Sequence, residues 1–254
     1  MKNSIWGVRC AFGLLSLGFA GGCAVDMAGE DPAKGAVGTE AELRGHHRPS
    51  FDILGPEGKI RGKTYEQWSA QWWQWIWGGA ASTHPALDQT GEFCGVDQAG
   101  PVFYLAGTFG GAATRTCTIP HGKLVFFPVI AASADNCGVP PADQLTVPEL
   151  IAYQEQFDEN ITAAELTIDG TVIGTNKDEL SPFLTDVTRF SYRVPEEDSL
   201  YTLFGMDFAG RCSPSFSVGY FVMLDLSRGM HTLHFAGAQT NGFALETTYT
   251  LDVK

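Results

Sequence analysis

The chain has 254 residues, a formal net charge of −13 at pH 7 and a hydrophobic fraction of 44%. Such an acidic chain does not bind nucleic acid or an anionic membrane surface through its charge, since both present negative phosphates. The length suffices for one large domain or two small ones. The composition therefore favours a globular protein and excludes a role that depends on a basic surface.

The first 23 residues have the pattern of an export signal. Lys2 and Arg9 give a positive start, residues 11–20 form a short apolar run, and Cys23 follows two glycines. This run is too short for a permanent transmembrane helix, so residues 1–22 are predicted to be a signal peptide. Loss of Lys2 and Arg9 with that segment takes the net charge from −13 to −15.

Cys23 stands where a bacterial lipobox places the cysteine that is lipidated and becomes the new N-terminus. We therefore expect a lipid anchor at Cys23 and a place in the bacterial cell envelope, at the outer membrane or cell surface. Ala20 occupies the position where such motifs usually carry leucine, so cleavage near Ala24, with secretion or periplasmic release, is the alternative. Residues 23–61 are assigned to the anchor cysteine and a flexible tether. Residues 62–254 are then a single domain.

Four cysteines fall in the predicted domain: Cys94, Cys117, Cys137 and Cys212. An even set in an exported chain predicts two disulfide bonds. We expect a Cys94–Cys117 bond, because these residues flank a predicted strand at 101–109 and its glycine-rich turn. That choice leaves Cys137–Cys212 as the second bond. A zinc site is disfavoured, since no CxxC pair is present.

Two helices are predicted. The first covers residues 64–77, where Thr64 and Gln67 have the spacing of a capping box and two glycines follow the last turn. Its aromatic residues recur at helical spacing, which favours packing of that face on a sheet. The second helix begins near Thr146, again with capping-box spacing to Glu149.

Most of the remaining chain alternates like β-strand. The predicted strands are 101–109, 123–130, 164–174, 188–194, 201–208, 216–226, 230–237 and 244–253. Asp169 and Gly170 interrupt the third of these and predict a two-residue hairpin turn, which needs positive φ. Many short strands with glycine and proline turns indicate a mainly β fold, an antiparallel, jelly-roll-like β-sandwich with two packed α-helices.

Three stretches carry a resemblance to a known group. They are GKTYEQWSAQWWQW at 62–75, GPVFYLAGTFGG with RTCTIPHGKLVFFPVI across 100–130, and GYFVMLDLSRGMHTLHFAG at 219–237. Together they resemble an uncharacterised family of exported bacterial lipoproteins with a β-sandwich-like C-terminal half. The resemblance implies export and fold, and it implies no mechanism.

Three residues are candidates for ligand binding: Trp73, Trp77 and His121. Packing of the whole aromatic face of the first helix on a sheet is the favoured interpretation. The helix has more indoles than a narrow buried stripe can hide, so Trp73 and Trp77 are the candidates for exposure and for stacking on a sugar ring. His121 follows Pro120 in a turn before the predicted strand 123–130; a site near this turn is one interpretation, and an exposed turn histidine without a function is the alternative.

Oxygen ligands for calcium are offered by Asp88 and Glu92 in one acidic loop and by Asp135 in another. Neither loop has EF-hand spacing, and solvated or turn-forming carboxylates are the alternative. No other cofactor is predicted. His231 and His234 lie in a predicted strand, where residues three apart point to opposite faces, so they are not expected to share a metal ion.

The enzyme signatures GxSxG, HExxH and the P-loop are absent from the sequence. We therefore expect a non-enzymatic envelope protein that binds a glycan or another envelope component. One alternative is a secreted polysaccharide hydrolase or lyase, for which Glu66, Asp88, Glu92 and Asp135 are the first carboxylates to consider. Another is a structural envelope protein with no small ligand.

Overall fold

The structure is a computed structural model that describes residues 50–254. The predicted signal peptide, the anchor position Cys23 and most of the predicted tether lie outside the described residues. Within the described part of the chain, no helix has both the length and the apolar character that crossing a membrane requires.

The described chain contains ten strands and five α-helices. The strands are β1 (Phe51–Leu54), β2 (Val102–Tyr104), β3 (Gly111–Ile119), β4 (Leu124–Asp135), β5 (Ile161–Ile168), β6 (Thr171–Gly174), β7 (Thr188–Val194), β8 (Gly210–Leu226), β9 (Gly229–Gln239) and β10 (Ala244–Val253). The helices are α1 (Tyr65–Gly78), α2 (Val147–Glu155), α3 (Phe157–Asn160), α4 (Lys177–Leu180) and α5 (Leu200–Leu203). Short 3-10 turns lie at Ala81–Thr83 and Ser181–Phe183.

These strands form two five-stranded sheets. The first sheet has the order β1-β8-β4-β2, with β7 also paired to β8, and the second has the order β3-β10-β9-β5-β6. The predicted mainly β, sandwich-like fold is confirmed. Most neighbouring strands are antiparallel, while β2–β4 and β3–β10 are parallel pairs.

The main apolar core lies between the two sheets. Alternate residues of β4, β8, β9 and β10 meet there, together with the buried faces of β3 and β5. The sheets approach closely at Gly237, where an added Cβ would lie 2.7 Å from Cβ of Ile130. A larger residue at Gly237 would therefore push the sheets apart.

A second apolar core lies on the outer face of the first sheet, under α1. The capping box that begins this helix is present: Thr64 Oγ1 accepts from Gln67 N, and the Gln67 side chain accepts from Thr64 N. The aromatic face of the helix packs on β4, β7 and β8, which gives the molecule three layers. The second predicted helix also begins with its predicted capping box, between Thr146 and Glu149.

The predicted hairpin turn is confirmed, because Asp169 and Gly170 have φ values of 49° and 74° between β5 and β6. Three other predictions differ from the structure. Phe51–Leu54 pairs with β8 although it falls inside the predicted tether. Positive φ at Gly110 and Gly111 separates β2 from β3, so the predicted strand 101–109 is shorter and β3 was missed.

The third difference is at 201–208, which is not a strand. Ser199 accepts a hydrogen bond from the backbone N–H of Thr202 and so caps the short helix α5. The apolar residues of this segment pack on the second core and not in a sheet: Tyr201 is buried there, and Met206 and Phe208 are partly buried against it.

Candidate functional site

Both predicted disulfide bonds are present, Cys94–Cys117 and Cys137–Cys212. The first ties the loop after α1 to β3, and the second ties the segment after β4 to the start of β8. Disulfide bonds persist in oxidising surroundings. The pair of bonds therefore indicates an extracellular or periplasmic location.

A buried carboxylate lies beside the second disulfide. Asp135 Oδ2 accepts hydrogen bonds from the Tyr192 hydroxyl at 2.7 Å and from Ser215 Oγ at 3.2 Å. Asp135 Oδ1 accepts from the backbone N–H of Cys137 at 2.9 Å and from the Tyr201 hydroxyl at 3.4 Å. The two tyrosine hydroxyls are also hydrogen-bonded to each other. Asp135, Tyr192, Tyr201 and Ser215 are called the Asp135 cluster below.

The electrostatics of the Asp135 cluster follow from its burial. Burial raises the pKa of the Asp135 carboxyl, and the hydrogen bonds that it accepts only partly oppose this effect. Burial and the neighbouring carboxylate together raise the pKa of Tyr192 and of Tyr201 well above the ordinary value for tyrosine. Both phenols therefore stay protonated, and their two protons are shared among the Tyr192–Asp135, Tyr201–Asp135 and Tyr192–Tyr201 contacts.

The same place is the candidate metal site within residues 50–254. Ligand atoms of Asp135, Cys137 and Cys212 lie within 4.8 Å of one another. Both sulfur atoms are bonded to each other in the disulfide, so neither is a thiolate that could bind a metal ion. With the Cys137–Cys212 disulfide formed, the Asp135 cluster is a polar network that holds the end of β4 against β7 and β8.

The indoles of α1 do not form the exposed strip that the sequence suggested. Trp73 is only 6% exposed, so its indole face is not available for stacking on a sugar. Trp77 is half-buried, stacks on Trp73 and Tyr192 with ring centroids 6.0 Å and 5.8 Å away, and donates its N–H to Ser133 Oγ. The helix packs on the outer face of the first sheet. This contact buries Trp68, Trp72 and Trp73 and partly buries Trp75 and Trp77.

Two open grooves lie on the described surface, and one of them shares Tyr192 with the Asp135 cluster. The larger, of about 540 Å³, is called the α1–β7 groove, and its walls are Gln74, Gly78, Ser191, Tyr192, Arg193, Pro195 and Arg211. The smaller, of about 300 Å³, is lined by Glu196, Thr202, Gly205, Met206, Asp207, Phe208 and Ala209. Tyr192 is thus shared between the cluster and the wall of the larger groove.

His121 lines neither groove. It is exposed in the turn before β4, where its backbone N–H donates to the carbonyl oxygen of Lys254. The turn therefore serves to fix the C-terminus of the described chain. The three candidate ligand-binding residues are not brought together, since Trp73 and Trp77 face the second core and His121 lies in this exposed turn.

The acids considered for calcium or for catalysis are not gathered in one place. Asp88 Oδ1 accepts from Thr90 and Oδ2 accepts from the backbone N–H of Phe93, so Asp88 closes a local turn. Burial raises the pKa of Asp88, but these hydrogen bonds outweigh it and hold the pKa below its ordinary value. Glu92 is exposed nearby, while Asp135 belongs to its own cluster. None of these three, nor Glu66, lines either groove.

The two histidines of β9 lie on opposite faces of the second sheet, as predicted. His231 is buried and hydrogen-bonds to Asp169 Oδ2 at 2.8 Å and to the Ser227 carbonyl at 2.9 Å. His234 Nδ1 lies 3.1 Å from Thr248 Oγ1 on the outer face. The pair therefore does not share a metal ion.

The arginines of the α1–β7 groove were not identified from the sequence. Arg193 is in β7 and Arg211 is in β8, and they are directly opposite each other in the register of that pair. Eighteen positions separate them along the chain, so only the pairing of the strands brings them together. A sequence signal existed in the alternation of β7, which puts Arg189, Ser191 and Arg193 on the side away from the buried Phe190 and Tyr192.

Comparison with known proteins adds no evidence about the fold or the grooves. No protein-family model and no curated protein matches this chain. Among solved structures, the solution structure of amebosin aligns with 56% of this chain and 96% of its own, at 7% identity and a TM-score of 0.16. A similarity this low carries no argument about fold or function.

Proposed function

We propose that this chain is an exported, lipid-anchored envelope protein that binds a glycan without changing it. The observation that carries the proposal is the α1–β7 groove, which is open and about 540 Å³ in volume. Gln74, Ser191, Arg193 and Arg211 supply amide, hydroxyl and guanidinium groups along its walls. Such groups bind the hydroxyl and acidic groups of sugars, and an open groove admits an extended chain.

Binding is favoured over hydrolysis by the placement of the acids. A carboxylate-pair glycosidase needs two carboxyl groups on either side of the scissile bond. Gln74, Ser191, Tyr192, Arg193 and Arg211 are the polar groups of the α1–β7 groove, and none of them is a carboxylate. Asp135 lines neither groove and is held in its own hydrogen-bonded cluster.

The cellular address rests on separate observations. The two disulfide bonds support export, and the pattern that ends at Cys23 supports a lipid anchor, as does the resemblance to exported bacterial lipoproteins. Mass spectrometry of the mature protein tests the anchor. A diacylglyceryl group on Cys23 is the expected result, and an unmodified N-terminus beyond Cys23 would contradict it.

A glycan array followed by calorimetry tests the binding site. Gly78→Trp places an indole in the α1–β7 groove, and its Cβ fits because the nearest atom is the Arg193 carbonyl oxygen at 3.6 Å. Gly95→Trp is the matched control, since nothing lies within 4 Å of a Cβ there and Gly95 lines neither groove.

We expect the groove variant to lose about tenfold or more in glycan affinity, which corresponds to about 1.4 kcal/mol. The Gly95 control should bind like the wild type. Equal binding by wild type and Gly78→Trp would show that the ligand does not occupy this groove.

A further inference from the structure

We propose that Arg193 and Arg211 form an oxyanion site in the α1–β7 groove, so that the bound glycan is one that carries carboxylate or phosphate groups. This inference rests on the proposed function, because it names the class of glycan that the same groove takes.

The register of β7 and β8 brings the two arginines together. Arg193 is directly opposite Arg211, and both are exposed and line the α1–β7 groove. Directly opposite residues of an antiparallel pair have Cβ atoms about 4.5–5.5 Å apart and project from the same face. Their guanidinium groups can therefore reach a single ligand group between them.

Within residues 50–254, no carboxylate neutralises this pair. Lysine forms two ion pairs in this part of the chain, Lys177–Asp158 and Lys254–Asp252. Neither Arg193 nor Arg211 forms an ion pair with a carboxylate there. Like charges directly opposite each other destabilise a sheet. The chain carries 29 acidic against 16 basic residues, so acids to pair with these arginines are plentiful. Two uncompensated cations in one groove of such a chain are suited to an anion from outside.

The neighbouring side chains complete a set of donors. Arg211 Nη2 donates to Ser191 Oγ at 3.4 Å, which leaves the proton of that hydroxyl free to donate into the groove. Gln74 is exposed on the opposite wall, where its amide nitrogen donates to the Ser191 carbonyl oxygen at 2.9 Å. The planar fork of arginine matches a carboxylate or phosphate through two parallel hydrogen bonds.

The charge of the whole molecule narrows the ligand class. A net charge of −13 repels a long polyanion at a distance, so binding of nucleic acid through general electrostatic attraction is not expected. The arginine pair acts at short range and recognises single acidic substituents. A short glycan with a few acidic groups among its hydroxyls fits both the pair and the open groove.

The experiment is calorimetry on the full chain with three probes: a galacturonate hexamer, the neutral galactose hexamer and inorganic phosphate. The test variant is Arg193→Gln with Arg211→Gln. The control is Arg228→Gln with Lys254→Gln, which removes two positive charges at residues that line neither groove. Thermal unfolding checks that both variants are folded.

We expect the wild type and the control to bind the galacturonate hexamer at least about tenfold more tightly than the neutral hexamer. The groove variant should lose that preference while keeping its affinity for the neutral hexamer. Phosphate should compete with galacturonate on the wild type and on the control, but not on the groove variant.

Two results would overturn the inference. Equal affinity of the wild type for acidic and neutral hexamers, unchanged in the groove variant, refutes the oxyanion site and leaves glycan binding standing. Failure of all three probes to bind the wild type refutes the oxyanion site and counts against the proposed function as well.

Discussion

Arg115 Nη1 donates a hydrogen bond of 2.9 Å to the hydroxyl of Tyr249, deep inside the sandwich. Arg115 is 1% exposed and has no carboxylate partner among the described residues. It instead donates to the main-chain oxygens of Asp88, Ala106 and Gly107. A single side chain of β3 thus holds the loop before β2 and the segment after it.

Replacement of Arg115 by lysine should destabilise the fold. Lysine keeps the charge but cannot reach all of these acceptors at once, so buried carbonyl oxygens lose their donors. We expect a loss of about 3 kcal/mol in the free energy of unfolding, measured by urea denaturation. Lys123→Arg, at a half-buried position near β4, should cost much less. An Arg115→Lys protein as stable as the wild type would contradict the role given to the guanidinium.

Two adjacent indoles of α1 should respond differently to the same substitution. Trp72 Nε1 donates to the Leu105 carbonyl oxygen at 2.9 Å, whereas the buried Nε1 of Trp73 has no partner among the described residues. Phenylalanine removes similar volume from each site but breaks a hydrogen bond only at Trp72. Trp72→Phe should therefore cost about 1–2 kcal/mol more than Trp73→Phe in chemical denaturation. The reverse order would show that Trp73 makes the more important contact.

The two disulfide bonds should differ in their contribution to stability. Cys94–Cys117 closes a separation of 23 residues, and Cys137–Cys212 closes one of 75. The chain-entropy description assigns about 3 kcal/mol to the shorter loop and about 4–5 kcal/mol to the longer one. Paired cysteine-to-serine variants, compared by thermal unfolding, should show the larger loss at Cys137–Cys212. Equal losses would mean that native contacts near each bond outweigh loop entropy.

Replacement of Asp135 by asparagine should destabilise the protein by about 1–3 kcal/mol at neutral pH, because an amide NH₂ then faces hydroxyl and N–H donors. The pH dependence has a definite sign. Burial raises the pKa of Asp135, so the folded state holds this proton more tightly and the group adds stability as pH falls. The stability gap between wild type and Asp135→Asn should therefore widen from pH 7 to pH 4. Asp143→Asn, in an exposed loop, is the control variant for this comparison.

Asp88 should show the opposite pH dependence. Its hydrogen bonds hold its pKa below the ordinary value, so its contribution is present at neutral pH and is lost as pH falls through the folded-state pKa. Asp88→Asn should cost about 1–2 kcal/mol at pH 7, since the amide nitrogen cannot accept from Phe93 N. The gap to the wild type should narrow in acid, as measured by denaturation at a series of pH values. A gap that stays constant would mean that the charge of Asp88 is not what the turn requires.

Local signals in the sequence were reliable where a short segment decides its own conformation. The capping residues Thr64 and Thr146 and the turn at Asp169 and Gly170 were predicted because each satisfies its own backbone groups within a few residues. The disulfide partners were also predicted. Cys94 and Cys117 flank one predicted strand and its turn, and their pairing leaves Cys137 and Cys212 for the second bond.

Features that depend on pairing between distant strands were missed. Whether Trp73 is exposed depends on the width of the sheet beneath α1, which no local pattern contains. Arg115 sits at an inward position of β3, and its acceptors come from loops that only the folded chain brings near. Arg193 and Arg211 meet through register alone. The groove is therefore a product of topology, not of a motif.

The polar side of α1 has a consequence for association between molecules. Gln74 donates its amide N–H to the Ser191 carbonyl oxygen, so one backbone acceptor of β7 is occupied by α1. An uncovered edge strand offers its backbone groups to another chain and promotes aggregation. Gln74 thus removes one acceptor that strand addition at β7 would use, while the indole face of the helix closes the second core.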